Sequence, residues 1–465
     1  MKRNLTFLSG FFGLIILGFV ILGGRSATDV SAKEGSSDLD QLKLFADVIS
    51  IVQRDYVENV GTKKLVEGAI KGMLATLDPH SVFLTPEYYK ELQVETSGEF
   101  GGLGIEITVK DGLLVVVAPI EGSPAERAGI KSGDAIIKID GKFTKNVSLV
   151  DAVRQMRGPK GAGIRISVMR KGAPDLIDIV IVRDVIKVKS VKERQLDDGF
   201  GYVRVSQFQE NTGKELKDAL DDLRKKGPKV ELSGLILDLR NNPGGLLTQA
   251  IQVSDLFLQE GVIVYTDGRV EDQKKKFFAH ARGTESDYPM AVLINEGSAS
   301  ASEIVAGALK DHGRALIIGT RTFGKGSVQT VLPLYDGGAL RLTTALYYTK
   351  SGRSIQGTGI EPDIEVKDED AAIAQANVDL QIKEDIRESD LPGAIANPNG
   401  RKPKKVDDSS KKKPSKDSQS TVLPEPKNLE TIPLGELLAG DPQLRRALDL
   451  LKTFNVFKQK PKVIS

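Results

Sequence analysis

The sequence predicts a layered α/β (α+β) protein carrying a β-rich insertion, and three observations lead there. Apolar strands alternate with amphipathic helices from Gly199 to Val366. Short β-branched runs separated by Gly, Pro or Asp fill the stretch from about Gly98 to Val182. Ahead of both, residues from about Asp38 to Gln93 follow a helical period. At 465 residues the chain exceeds one ordinary core, so two or three units are expected.

In chain order, Lys2 and Arg3 precede an uncharged apolar stretch from Leu5 to Gly24, and Arg25 follows. This is the outline of a signal peptide, with Val30-Ser31-Ala32 supplying small residues for cleavage. The stretch is also long enough to span a bilayer. Residues 1–32 therefore read as a removed leader or a retained anchor in the inner membrane. Either way the remainder is expected outside the cytoplasmic membrane, in the periplasm or cell envelope.

Residues 38–96 form a helical segment. Leu42, Leu44, Phe45, Val48, Ile49 and Val52 share one face, and Leu65, Ile70 and Met73 mark a second helix. Too small for a core of its own, it is expected to pack on a neighbour or on another chain.

Residues 97–185 hold the predicted strands Ile105–Val109, Leu113–Ala118, Ala135–Ile139, Ile164–Val168 and Ile179–Val182. A short helix at Pro124–Ala128 and a longer one from Ser148, striped by Leu149, Val150, Val153 and Met156, interrupt them. Residues 186–368 carry the alternating core. Tyr202–Val205 precedes a helix over Thr212–Lys226, Leu235–Leu239 one over Leu246–Phe257, and Ala291–Ile294 one over about Ser300–Asp311. Leu316–Ile318 and Leu340–Tyr348 follow.

Residues 369–430 read as a flexible linker, because Ala396–Ser420 is rich in Lys, Pro, Ser and Asp and cannot bury enough apolar surface. Within 431–465, Leu444, Ala447, Leu448, Leu450 and Leu451 outline a terminal helix for docking or self-association.

Composition removes several function classes. A formal charge of +2 gives no reason to expect nucleic acid. The absence of cysteine excludes thiol catalysis, disulfides and thiolate metal sites. Only His80, His280 and His312 could serve an imidazole mechanism, and a multi-histidine metal site would need most of them. No metal and no cofactor are expected.

Chemistry concentrates at two glycine-rich strand ends. Asp238-Leu-Arg-Asn-Asn-Pro-Gly-Gly245 closes an apolar strand with a turn whose glycines let backbone approach a ligand. Asn295-Glu-Gly-Ser-Ala-Ser-Ala-Ser-Glu303 lies between a strand and a helix, with Ser300 at the helix N-terminus, where free N–H groups can stabilise an oxyanion. Taken alone, Ser300-x-x-Glu303 is more often a capping box, and Ser298 and Ser302 are equally available hydroxyls. Arg321-Thr-Phe-Gly-Lys-Gly-Ser-Val-Gln329 shifts the balance by setting Lys325 between two glycines beyond a buried strand.

Together, Ser298–Glu303, Asp238–Gly245 and Gly324-Lys-Gly326 resemble the carboxy-terminal processing (tail-specific) serine protease family, whose core is crotonase-like. The similarity runs from Leu42 to Val366 and includes Leu77-Asp-Pro-His-Ser81 and Gly352-Arg-Ser-Ile-Gln-Gly357. The resemblance implies Ser300 as nucleophile, Lys325 as general base and Gln329 as the group orienting it. It also implies oxyanion N–H groups from Ala301 and from Gly244 or Gly245. Free C-termini of protein substrates would be gripped by a PDZ-like domain through Gly102, Leu103, Gly104 and Ile105. Leu149 and Val153 would face the bound strand, and Arg157 would link substrate loading to the protease site.

The residues bear on this independently. A serine hydroxyl needs a nearby base. His312 is about 18 Å from Ser300 along the same predicted helix, at roughly 1.5 Å per residue. His280 stays open, and His80 falls outside the core. Lysine must be neutral to serve, and bringing it from about 10.4 to near 7 takes roughly 4–5 kcal/mol. Burial can supply that. Two rivals are an exported, non-catalytic PDZ scaffold binding protein C-termini, and an acyl-coenzyme A enzyme of crotonase type, for which no phosphate-gripping basic loop is evident. The sequence leaves open a homo-oligomer and a regulatory adaptor protein.

Overall fold

The computed structural model describes residues 32–110, 112–227, 231–367, 386–400 and 432–459. The expected leader, apart from Ala32, and residues 369–385 and 401–430 of the expected linker lie outside the described residues. Among the described residues no helix is long and apolar enough to cross a membrane.

The chain divides into two units, residues 1–70 and 71–465. The first contains the helix Ala32–Asp55. It forms where the apolar period predicts, and its Leu42, Leu44, Phe45 and Val48 remain exposed.

In the second unit the β-rich insertion is an antiparallel sheet. Ile105–Lys110, Leu113–Pro119, Ala135–Ile139, Gly163–Met169 and Ile177–Val182 pair in that order. Period-2 alternation decides which side chains go inside: Ile179 and Ile181 are buried while Val180 and Val182, which alternate with them, are exposed. Ala152 and Met156 of the helix Leu149–Met156 complete this core. Two strands, Glu99–Gly102 and Asp184–Lys187, pair antiparallel as the stem of the insertion.

The main sheet has six strands in the order Val191–Gln195, Phe200–Val205, Gly234–Asp238, Met290–Ile294, Leu316–Gly319, Ile364–Glu365. Only the first pair is antiparallel. Every residue of Gly234–Asp238 and Met290–Ile294 is buried, as expected of parallel strands covered on both faces. On one face Leu235, Leu237, Val292 and Ile294 join a core with the helices Thr212–Lys226, Leu247–Asp255 and Ala301–Asp311. On the other, Ile236, Ala291, Leu293 and Ile318 meet Leu444, Ala447, Leu448 and Leu451 of the helix Pro442–Gln459. The terminal helix thus docks on its own sheet.

A second sheet was not visible in the sequence pattern. Its central strand Ala339–Tyr348 pairs with Val82–Leu84, Val262–Gly268 and Ser327–Pro333, and Val262–Gly268 also pairs with Lys275–Phe278. Part of the expected linker is also ordered. Glu388–Asp390 forms a short 3-10 turn, Ser354 N donates to Asn399 Oδ1 at 2.8 Å, and Asn397 Nδ2 donates to the Gln356 carbonyl at 2.7 Å.

Truncating Leu444, which is fully buried against the sheet, is expected to cost about 2–5 kcal/mol of unfolding free energy in Leu444→Ala. Val182→Thr at an exposed strand position should change it by less than about 0.5 kcal/mol. Urea denaturation of the two variants checks the contrast.

Candidate active site

The strand Met290–Ile294 ends in a turn that leads to Ser300, the residue just before the helix Ala301–Asp311. Ser300 has φ 55°, a left-handed conformation that costs a residue with a Cβ about 1–3 kcal/mol. Such strain persists only where surrounding contacts hold it. Ser298 Oγ donates to the Leu239 carbonyl at 2.8 Å and Ser302 Oγ to the Asn242 carbonyl at 2.9 Å. Both hydroxyls are thereby used to fasten the serine turn to the Asp238–Gly245 turn.

Ser300 differs from its neighbours. Its N–H donates to Glu303 Oε2 at 2.7 Å, the Glu303 N–H donates to the Ser300 carbonyl at 2.9 Å, and Ser300 Oγ makes no cap hydrogen bond. Half of the capping box is present, and the hydroxyl is left out of it. The Tyr347 phenol, which burial pushes up to about 12 against the effect of Ser300, lies beside that hydroxyl.

Gly244 explains why the adjoining turn is built from glycine. It has φ 105°, and a Cβ there would lie 2.8 Å from both the Ala299 carbonyl oxygen and Ser300 Cβ, and 3.0 Å from Ala301 N. Gly244 N–H donates to Asn242 Oδ1 at 2.9 Å. Gly245, at φ 137°, backs onto the Phe208 carbonyl.

Glu303 is the centre of the arrangement, and the sequence suggested only its capping role. It is fully buried. Besides Ser300 N, its carboxylate accepts from Thr322 Oγ1 at 2.5 Å, Gly324 N at 2.8 Å and Lys325 N at 2.9 Å. Burial raises it to about 7, against those four hydrogen bonds. One carboxylate thus fixes the backbone of Ser300 and of Lys325 together.

The Lys325 amine is lowered from its ordinary value by burial first and by Arg341 second, while Glu388, Glu303 and Asp78 pull it back up. It has no hydrogen-bond or ion-pair partner among the described residues, and no hydrogen bond joins it to Ser300. Gln329 Nε2 donates to Ser327 Oγ at 2.8 Å, not to Lys325. The histidines lie elsewhere. His280 pairs with Asp255, His312 bonds the Val262 carbonyl, and His80 bonds Glu388. His80, outside the alternating core by its place in the sequence, is thereby bonded to a carboxylate that acts on Lys325.

In the insertion, a groove of about 230 Å³ is lined by Leu103, Gly104, Ile105, Leu149, Val153 and Arg157, with Phe100, Ile107 and Met156. Gly102 lies in the stem, paired with Asp184. Gly104 has φ 74°, and a Cβ there would meet Ser123 Cβ at 2.3 Å. The Arg157 guanidinium stacks over the Phe100 ring, 4.8 Å from its centroid, and makes no described contact with Ser300 or Lys325.

A family model described as peptidase family S41 matches residues 199–366, and one described as a PDZ domain matches residues 91–169. A third, the activating protease CtpB N-terminal domain, matches residues 23–87. The chain is 51% identical over 341 residues to a carboxy-terminal-processing protease of Bartonella bacilliformis, covering 73% of this chain and 78% of that one. To the carboxy-terminal processing protease CtpA of Bacillus subtilis it is 40% identical over 380 residues, covering 79% and 78%. Among solved structures, the photosystem II D1 C-terminal processing protease is 33% identical with a TM-score of 0.41, covering 70% of this chain and 93% of that one.

Glu303→Gln puts one acceptor oxygen where four donors converge, and is expected to lower stability by about 1–3 kcal/mol. The pH dependence has a defined sign. Because Glu303 rises from 4.5 to about 7 on folding, the folded state holds the extra proton between those values. This contribution to stability is present below about 4.5 and is lost as pH rises through about 7. Unfolding followed from pH 5 to 8 should show that falling component in the wild type and not in Glu303→Gln.

Proposed function

The chain belongs to the family of carboxy-terminal processing proteases, and from that premise we propose that Ser300 is its nucleophile and Lys325 its general base. It is a serine-type peptidase with an S41 core and a PDZ domain, acting on protein C-termini. The observation that carries the residue assignment is the Glu303 carboxylate, which bonds the N–H of Ser300 and the N–H of Lys325 at 2.7 and 2.9 Å. Two loops far apart in sequence are held to one point, one presenting an uncapped hydroxyl and the other an amine that makes no direct ion pair among the described residues.

In this reading the neutral Lys325 amine takes the Ser300 proton as Oγ attacks the scissile carbonyl. The resulting oxyanion receives the N–H groups of Ala301, at the helix start, and of the Gly244–Gly245 turn. Gly245 is the better donor, since Gly244 N–H is already bonded to Asn242. Lys325 then gives its proton to the leaving amine, an acyl-enzyme remains on Ser300, and water repeats the sequence to release it. Burial makes the amine available as a base, by disfavouring its charged form. The amine swings to Ser300 Oγ for the transfer, and Gln329 turns from Ser327 to hold it there.

The PDZ groove supports recognition of a free C-terminus. A substrate strand would add beside Ile105–Lys110, its carboxylate on the N–H groups of Leu103 and its neighbours and its last apolar side chain against Leu149 and Val153. Arg157, on the groove rim, would sense the filled groove. We place the mature protein outside the cytoplasmic membrane on the strength of its apolar leader.

Ser300→Ala and Lys325→Ala should each lower kcat/KM for peptide hydrolysis by about 10³-fold or more with an unchanged melting temperature. Near-wild-type hydrolysis by folded Lys325→Ala would remove the dyad. Amidating the substrate's C-terminus should raise KM about tenfold or more, through lost charge-assisted hydrogen bonds. A KM indifferent to amidation would remove the groove's role.

A further inference from the structure

Two sequence motifs play no part in the chemistry above, yet the structure brings both to the lysine loop. Gly326 N, next to Lys325, donates to Gln356 Oε1 at 2.9 Å, and Gln356 Nε2 donates to Glu388 Oε1 at 2.9 Å. His80 Nε2 lies 2.9 and 2.8 Å from the two Glu388 oxygens. Glu388 N donates to the Phe323 carbonyl at 3.3 Å. Gln356 and Glu388 are fully buried, and the His80 side chain is 14% exposed. His80 is itself fixed, its N–H on Asp78 Oδ1 at 2.8 Å and its carbonyl under Arg341 Nε at 3.3 Å.

We propose that Glu388 and His80 are positioning residues that set how readily Lys325 gives up its proton. The Glu388 carboxylate favours the charged amine, and His80, by sharing that carboxylate, decides how much of its charge the amine feels. The inference rests on Lys325 being the base.

Among the described residues, the charges that act most strongly on Lys325 are Arg341, which opposes its charge, and Glu388, Glu303 and Asp78, which favour it. Glu303 spreads its charge over four donors. Asp78 is held by the N–H groups of His80 and Ser81 and by the hydroxyls of Ser81 and Thr343. Among the described residues the Glu388 carboxylate is hydrogen-bonded to Gln356, which is neutral, and to His80. Burial opposes its ionisation, but the His80 and Gln356 hydrogen bonds outweigh that and hold it below the usual carboxylate range. It is therefore a buried negative charge with one adjustable partner, joined through a single glutamine to the residue after the base.

A merely structural role predicts that both substitutions loosen the loop and move activity the same way. A charge-setting role predicts opposite shifts. The test uses the full-length protein and a quenched fluorogenic peptide with a free, apolar C-terminus, measuring kcat/KM from pH 5 to 10. In Glu388→Gln, which keeps the size and the Gln356 contact, the acid limb should move down by about 0.5–1 unit. In His80→Gln, which leaves the carboxylate less compensated, it should move up. The double variant should follow Glu388→Gln. An unmoved limb in Glu388→Gln, or shifts of the same sign in both single variants, overturns the proposal. If Glu388→Gln does not fold, His80→Gln decides alone: a limb that stays or moves down is contrary. Lys325→Ala, run in parallel, separates the two levels. An active Lys325→Ala overturns the dyad and this inference with it, whereas an inactive one beside an unmoved Glu388→Gln limb overturns the inference only.

Discussion

A carboxylate wholly removed from water costs several kcal/mol unless its oxygens are satisfied, and Glu303 meets that condition in only one way. Its four donors come from the residue ahead of its own helix and from the loop at Thr322–Lys325. Because the donors are divided between two segments, moving one segment away from the other breaks part of the set. The desolvation that makes Glu303 costly alone therefore fixes the spacing between the serine turn and the lysine loop. Strand register prepares this: Ile294 and Gly319 are paired at the ends of neighbouring parallel strands, so both loops leave the sheet at one edge.

The third strand end is held with equal economy. Asp238 closes the strand Gly234–Asp238 in complete burial, which opposes its ionisation, yet Arg240 beside it keeps it below the ordinary carboxylate range. Arg240 also reaches Asp441 with two hydrogen bonds of 2.9 and 2.6 Å, and Tyr202 donates to Asp238 at 2.7 Å. The turn carrying Gly244 and Gly245 is thus anchored from beneath by Asp441, the residue just ahead of the helix that covers the back of the sheet. From above it is pinned by Ser298 and Ser302. The strained φ of Ser300 survives because its neighbours on both sides are occupied.

The parts legible in the sequence are those where local pattern and burial agree. The helix Thr212–Lys226 and the strand Ala135–Ile139 occur at the predicted residues, because each has one apolar face and clear end signals. The Ser300 turn and the Gly324-Lys-Gly326 loop were legible from glycine placement and resemblance. The second sheet was not. Lys275–Phe278 has no apolar alternation, and Ser327–Pro333 is half-exposed over much of its length, so neither run carries a period. Glu388 was hidden by its context, a polar stretch indistinguishable from linker until its carboxylate is seen against His80. Glu303 gave one faint signal, a lone acid among Ala, Ile and Val at a helix start, which a capping role already explained.

The paired stem at Glu99–Gly102 and Asp184–Lys187 has a consequence for how such a molecule can diversify. Because the strands entering and leaving the PDZ domain are matched from Glu99↔Lys187 to Gly102↔Asp184, the main sheet meets residues 103–183 as though they were one tight hairpin. Lengthening, trimming or exchanging what lies beyond the stem adds little closure entropy to the rest of the chain. On the function proposed above, recognition and cutting become separable modules: tail preference can drift, or be grafted, while the machinery that breaks the bond is left as it was.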